Sequence, residues 1–481
     1  MGTDFDVIVV GAGSSGGVVA SRLSENRDLS VLLLEAGPDF PAEMRSPPGF
    51  VTGGLHFANE PVFDLDWCYV SEPLPNGRRM QLPRGRLVGG SSMTNGTVCV
   101  RGAPFDFDRW RNQGAPDWGW NAVRPAYEMV EAEIPIKRYG RSAWQPIQEQ
   151  FFAAFVELGY REVTDLNGPD AWHGVVGATP INRRNTVRQG TLVTYIRRAR
   201  ARPNFHLRDR VLVERLLFAG TRVTGVRYID SARSVNEVAA AYVVLAAGTY
   251  GTPGILIRSG IGPADHVREL GGALVVDLPV GASLNDHVVC NFDLHAPDLA
   301  EIRAPSAAVM ARDIENRWFA VAATVDEEEG VCAVAFVLTS DSPRGSLRLV
   351  SLDPAAPPRI EHAYALEGFD SAVETLRQLL GSLHFKSAKP LFRDRDLQEI
   401  VKSNANSAYH PVGTCPIGVV VSDDLQVLGV DNLFVADASV FPCQVSNNPN
   451  LTCYMIGERA SSKLLSRLVK SASSGRKESI S

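Results

Sequence analysis

The polar–apolar pattern of the chain opens with a run that does not alternate. Val7-Ile8-Val9-Val10 places four β-branched residues in a row. Runs of this kind suit strands covered on both faces, as in a parallel sheet. Helical spacing follows at Val18, Val19, Ala20 and Leu23, and then a second run, Val31-Leu32-Leu33-Leu34, ends on Glu35. The order strand, turn, helix, strand predicts a β-α-β unit. Further along, 204–245 reads as several strands joined by hairpin turns and closing on Tyr242-Val243-Val244-Leu245, and Leu433-Phe434-Val435-Ala436-Asp437 reads as a last buried strand. Residues 290–400 carry a different pattern. Phe319-Ala320-Val321-Ala322, Ala333-Val334-Ala335-Phe336-Val337-Leu338 and Leu347-Arg348-Leu349-Val350 suggest an antiparallel sheet, with a helix after it near 371–383. Aromatic-rich helical segments fall in 104–189, around Trp110, Trp118, Trp120 and Tyr127, and a terminal helix is expected over 451–469. The stretch 36–79 is rich in Pro and Gly and reads as a long loop or lid. The polar, Ser-rich 471–481 reads as a disordered tail. The fold class is therefore α/β, with room for a second, α+β unit.

Composition narrows the partners. The 481 residues are 45% apolar and 21% charged, and the formal net charge is −6. That balance gives no reason to expect nucleic-acid binding. The seven cysteines are scattered and never in C-x-x-C spacing, so neither a disulfide framework nor a metal site is expected. No run of 18 apolar residues occurs, so no membrane span is expected. With no basic region leading into an apolar signal core, the reading is cytoplasmic. In that compartment the N-x-T patterns at Asn95 and Asn450 lose most of their force as glycosylation sites.

The first chemical motif is the turn Gly11-Ala12-Gly13-Ser14-Ser15-Gly16, a G-x-G-x-x-G set between the first strand and its helix. Gly11 permits the tight turn, Gly13 lets the backbone approach a pyrophosphate, and Gly16 lets helix and strand pack closely. Ser14 and Ser15 open the helix, whose free N–H groups and partial positive charge favour phosphate. Glu35, followed by Ala36, ends the second strand 19 residues after Gly16 and can accept hydrogen bonds from ribose hydroxyls. The turn specifies a dinucleotide without separating NAD from FAD.

Five further stretches separate them: GRLVGGSSMTNG (85–96), LAAGTYGTPGILIRSGIGP (245–263), VGASLNDH (280–287), YHPVGTCPIG (409–418) and LFVADASVFP (433–442). With the N-terminal turn and VSNNPNLTCYMIGE, they resemble the glucose–methanol–choline family of FAD-dependent oxidoreductases. The resemblance implies a Rossmann-like FAD-binding domain assembled from 1–103, 190–289 and 404–470. It also implies an α+β substrate domain, 104–189 and 290–403, with an antiparallel sheet over the flavin. Gly89, Gly90 and Ser91 can bring backbone N–H groups close to flavin or pyrophosphate. By resemblance, Asn95 and Gly96 lie along the flavin ring and the backbone of Val213 meets the adenine. Ala247 and Gly248 end one buried strand, and Asp437 and Ala438 another, where ligands approach an open α/β sheet; for Asp437, helix capping or a salt bridge is the competing reading. Relatives that attach FAD covalently use a histidine where this chain has Thr94, so non-covalent FAD is expected.

The resemblance puts His410 in the position of the active-site base. Neutral imidazole is suited to taking a hydroxyl proton while hydride leaves for flavin N5. The resemblance also implies a second His or Asn that orients the substrate oxygen, ten residues before the acid of a segment like MIGE; here that acid is Glu458, which gives Asn448, with Asn447 and Asn450 as register alternatives. His287, in the Asn285-Asp286-His287 loop, is read as structural. The expected partners are a small-molecule alcohol and an external acceptor: a quinone, a redox carrier or oxygen. A dehydrogenase is favoured over an oxygen-using alcohol oxidase or a hydroxynitrile lyase on the same fold. The short chain, with seven lysines among 48 basic residues, resembles actinobacterial dehydrogenases associated with the peptide-derived carrier mycofactocin.

Overall fold

The computed structural model describes residues 4–41, 63–185, 187–301, 307–339, 345–364, 366, 368–392 and 397–478. The two non-alternating runs form adjacent parallel strands, Phe5–Val10 and Val31–Leu34, joined by helix Gly16–Leu23. They sit inside a seven-stranded sheet between Phe205–Arg208 on one side and Val235–Leu245 on the other. The long strand Val235–Leu245 serves two partners. Its first half pairs antiparallel with Arg222–Ile229, and its last residues pair in parallel with Phe5–Val10 and with Leu433–Val435. Three parallel strands thus end side by side at Val10, Leu245 and Val435, which gathers Gly11, Ala247 and Asp437 at one sheet edge.

The alternating region forms an eight-stranded sheet around Val288–His295, Val331–Leu338, Trp318–Asp326 and Val309–Asp313. Strands Val175–Ala178 and Arg161–Val163 extend it. These two were not legible among the helices expected over 104–189, because Val-Val-Gly-Ala is too short to display a period. One face of the sheet buries Val288, Cys290, Phe292, Trp318, Val334 and Phe336 against helices Pro146–Glu157 and Phe369–Gly381. The alternate residues face the nucleotide sheet.

Three expectations change. Leu347 is not in the large sheet: Ser346–Arg348 and Arg359–Glu361 form a separate two-stranded pair. The 104–189 stretch divides, since Phe107, Trp110, Trp118 and Tyr127 pack into the nucleotide-sheet core and only from Tyr139 onward do residues join the other core. Helix Asn450–Glu478 runs through most of the stretch expected to be a disordered tail; Gly475 is its one strongly unfavourable residue there, at a cost of about 1 kcal/mol. Residues 42–62 of the expected loop or lid lie outside the described residues.

Candidate active site

A single cavity of about 870 Å³ runs between the two sheets. It begins beside Glu35 and Val213, passes Gly13, Ser14, Ser15, Gly90 and Ser91, and reaches Asn95, Gly96, His410 and Asn448. Gly11, Ala36, Ala247, Gly248, Asp437 and Ala438 also line it. Of the candidate residues, Gly16 and Gly89 stand behind the wall.

The glycine turn divides its work by position. Gly11 has φ +100°, and a Cβ there would lie 2.4 Å from the carbonyl oxygen of Ala246. A Cβ on Gly16 would lie 1.9 Å from the carbonyl oxygen of Gly11, so this position is closed by the backbone itself. At Gly13, by contrast, a Cβ would meet nothing within 4 Å. That open space, in front of a helix N-terminus, fits a phosphate-bearing group. The second glycine pair departs from its expected role. The Gly89 N–H donates to Ala12 O at 2.9 Å and the Gly90 N–H to Leu87 O at 2.7 Å, so neither is free for a ligand. What Gly90 supplies is a bare Cα against Gly13, where a side chain would come within 2.8 Å.

Two buried carboxylates anchor the nucleotide end. Glu35 accepts the N–H groups of Ala12 and Gly37, each at 2.9 Å. Burial pushes its carboxyl up to about 7. Asp437 does cap the short helix Ala438–Val440, accepting from Ser439 N at 2.8 Å. It also accepts from Gly248 N at 2.8 Å and Thr252 Oγ1 at 2.6 Å, tying the ends of two strands together while lining the cavity.

At the other end the three asparagines separate. Asn447 is fully buried and donates to Arg101 O at 2.9 Å, away from the cavity. Asn450 accepts from Ser14 Oγ at 2.8 Å, beside the glycine turn. Asn448 lines the cavity and donates one amide N–H to Val98 O at 2.8 Å. Ser15 Oγ, Asn448 Oδ1 and Asn450 Nδ2 are buried with no partner among the described residues. Orphaned groups along one cavity fit a polar ligand that passes all three. The glycosylation reading ends here, since Thr452 and Thr97 are buried and Asn450 and Asn95 face an interior space. Arg188 donates to Asn95 Oδ1 at 2.8 Å and to its carbonyl oxygen, which fixes Asn95 on the wall.

His410 sits in a loop held at two points by consecutive residues. Asp286 Oδ1 accepts the His410 backbone N–H at 2.9 Å, and His287 Nδ1 lies 2.9 Å from His410 Nδ1 with the rings perpendicular at 86°. His287 is thus a direct partner of the candidate base, contrary to the purely structural reading. Asn285 pairs with Val412, two residues beyond His410, which brings the Asn285-Asp286-His287 triplet against the His410 loop. Asp286 also accepts from Ser407 Oγ at 2.5 Å and Tyr364 OH at 3.3 Å. Burial raises its carboxyl to about 6. Burial lowers the His287 imidazole to about 3. For His410, burial first and then His287 and Arg84 push it well below the ordinary histidine value. Both rings are therefore neutral at pH 7, and with Nδ1 tied to His287, Nε2 is the available nitrogen of His410.

Comparison with known proteins agrees with this arrangement. The GMC oxidoreductase profiles, N- and C-terminal, match residues 5–289 and 341–457. An uncharacterised GMC-type oxidoreductase of Rhodococcus erythropolis is 31% identical, over 96% of this chain and 98% of its own. The oxygen-dependent choline dehydrogenase of Burkholderia thailandensis is 30% identical, over 96% and 94%. Among solved structures, pyridoxine 4-oxidase from Mesorbium loti superposes with a TM-score of 0.87 at 24% identity, covering 96% of this chain and 99% of its own. A formate oxidase from Aspergillus oryzae RIB40 gives 0.87 at 20%, covering 97% and 99%. Sheet, cavity and relatives together define an FAD-dependent oxidoreductase acting on CH–OH donors. The chain belongs to the GMC oxidoreductase family. Among the described residues no helix is long and apolar enough to cross a membrane.

Proposed function

We propose that this protein is an alcohol dehydrogenase in which His410 is the general base and Asn448 orients the substrate oxygen. What supports the reading is that both residues line one cavity with the glycine turn, while His410 is neutral and tied through Nδ1. Bound FAD, held along Glu35, Gly13, Gly90, Asp437 and Asn95, supplies the acceptor for the hydride. Nε2 of His410 takes the hydroxyl proton as the C–H bond breaks. Asn448 has already given one N–H to Val98, and its second N–H donates to the oxygen as negative charge develops there. An asparagine cannot take the proton at this pH, so the two roles do not exchange.

FAD is held non-covalently in this reading, since Thr94 lines the cavity where an imidazole would be needed for attachment. The acceptor is a redox carrier rather than oxygen. Mycofactocin is the first candidate, on the short chain and Arg-rich composition. The test is anaerobic bleaching of the flavin by an alcohol panel, followed by reoxidation with oxygen, a quinone or mycofactocin. Bleaching is expected in the wild type and about 10²–10⁴-fold slower in His410→Ala. Undiminished rates in His410→Ala with FAD bound would remove His410 from the mechanism. Turnover of a hydroxynitrile without bleaching would replace the dehydrogenase by a lyase.

A further inference from the structure

We infer that the substrate is an alcohol with an apolar body and that this site discriminates against cationic alcohols; the inference rests on the alcohol-oxidising reading above. The wall facing His410 is one face of the eight-stranded sheet, and its residues follow from strand register. Asn406, Val289, Val337 and Phe319 stand opposite one another across four neighbouring strands, and opposed residues share a face. The next row reads Asn291, Ala335, Val321 and Met310. All eight line the cavity. Depth sorts them: Met310 is 1% exposed, Phe319 5% and Val337 6%, whereas Asn291 is exposed. The apolar part of the wall is therefore its deep part, and the amides lie at its edges.

A quaternary ammonium would need a carboxylate or a cage of free aromatic faces on this wall. Among the described residues the cavity's carboxylates are Glu35 and Asp437. Both belong to the nucleotide sheet and already hold backbone N–H groups. Of the cavity's rings, Tyr250 lies under Arg84, Trp67 under Arg86, and Tyr69 stacks on Trp67, which leaves the single faces of Phe319 and Tyr409 rather than a cage. Those guanidiniums add like charge against a second cation. With Arg84, Arg86 and Arg258 all lining the cavity, the preference concerns cations alone. This separates the protein from its choline dehydrogenase relative at the level of substrate charge.

Two alcohols of matched shape test the inference on the holoenzyme: 3,3-dimethylbutan-1-ol and choline, which replaces the quaternary carbon with nitrogen. Benzyl alcohol is added as a larger neutral member. Anaerobic flavin reduction should be at least about 100-fold more efficient with the best neutral alcohol than with choline, since a charge left unpaired away from water is strongly disfavoured. Choline matching or exceeding the neutral alcohols would overturn the inference. Failure of every alcohol to bleach the flavin would overturn the alcohol reading itself, and this inference with it. A second measurement uses Val289→Glu against Val289→Gln, with the flavin spectrum as the check on folding. The carboxylate, and not the amide, should shift the choline-to-dimethylbutanol ratio toward choline by at least about tenfold. An unchanged ratio would mean that this wall does not set the charge preference.

Discussion

Replacing His287 with alanine should slow catalysis without touching the substrate, and the size of the effect follows from the geometry. The His287–His410 contact is 2.9 Å between Nδ1 atoms, so one ring donates and the other accepts. His287 is fully buried, and removing it leaves the Nδ1 of His410 without its partner. A buried group left unsatisfied costs about 1–3 kcal/mol. If that cost is felt as loss of the productive ring orientation, kcat falls by roughly 5–150-fold. A second effect has a definite sign. Burial and the neighbouring His287 both hold the His410 imidazole below its ordinary value of 6.5. The base works when neutral, so the acid limb of kcat/KM should lie below pH 6.5 in the wild type. Taking His287 away removes one of the depressing influences and lets water into the space, so the limb moves to higher pH. The assay is steady-state oxidation of the best alcohol from pH 4.5 to 9, with the flavin spectrum and thermal melt recorded alongside. A simple packing role would lower the melting temperature and leave the limb in place. An unmoved limb with unchanged kcat would refute the clamp.

Other outcomes follow from the same geometry. Asn448→Asp puts a carboxylate opposite the developing alkoxide while keeping size, and should depress kcat by about 10²-fold or more. FAD content should stay intact, and wild-type kcat in this variant would exclude Asn448 from contact with the oxygen. Gly13→Ala and Gly16→Ala should behave oppositely in the apoprotein. The Gly16 Cβ would collide with Gly11 O at 1.9 Å, so this variant should lose about 1–3 kcal/mol of stability. Gly13→Ala, with nothing within 4 Å, should melt like the wild type yet bind FAD more weakly. Equal melting temperatures for the two apoproteins would refute the division of labour.

The legibility of this chain tracks how local each feature is. The runs at 7–10, 31–34 and 242–245 announced the parallel sheet because burial on both faces leaves no room for polar residues. That Ala247 and Asp437 end buried strands was legible too, but the register that sets them beside Gly11 came from the structure. His410 and Asn448 were readable only through resemblance, since one histidine in a Pro/Gly loop and three asparagines around Pro449 carry no period. Their placement together depends on strand ends far apart in sequence. His287 was misjudged because its partner lies 123 residues away. The Gly89–Gly90 pair was misjudged because the sequence does not say which carbonyls will consume its N–H groups. The apolar wall lay in full view as Phe319, Val321, Ala335 and Val337, but which face of an alternating strand meets the cavity is decided by what the opposite face packs against.

The last helix has a consequence for the order of events during synthesis. Ser14 Oγ, in the first turn of the chain, donates to Asn450 Oδ1, and Arg22 pairs with buried Glu458; both contacts span 436 residues. Gly457 packs so closely on Val18 that a methyl group there would come within 2.8 Å of its Cβ. The nucleotide turn leaves the ribosome well before the helix that covers it. A nascent chain therefore carries the glycine motif with one wall of its pocket missing until Asn450 and Glu458 have emerged. Any truncation before Asn450 should yield a colourless protein however well the rest of the nucleotide sheet is folded.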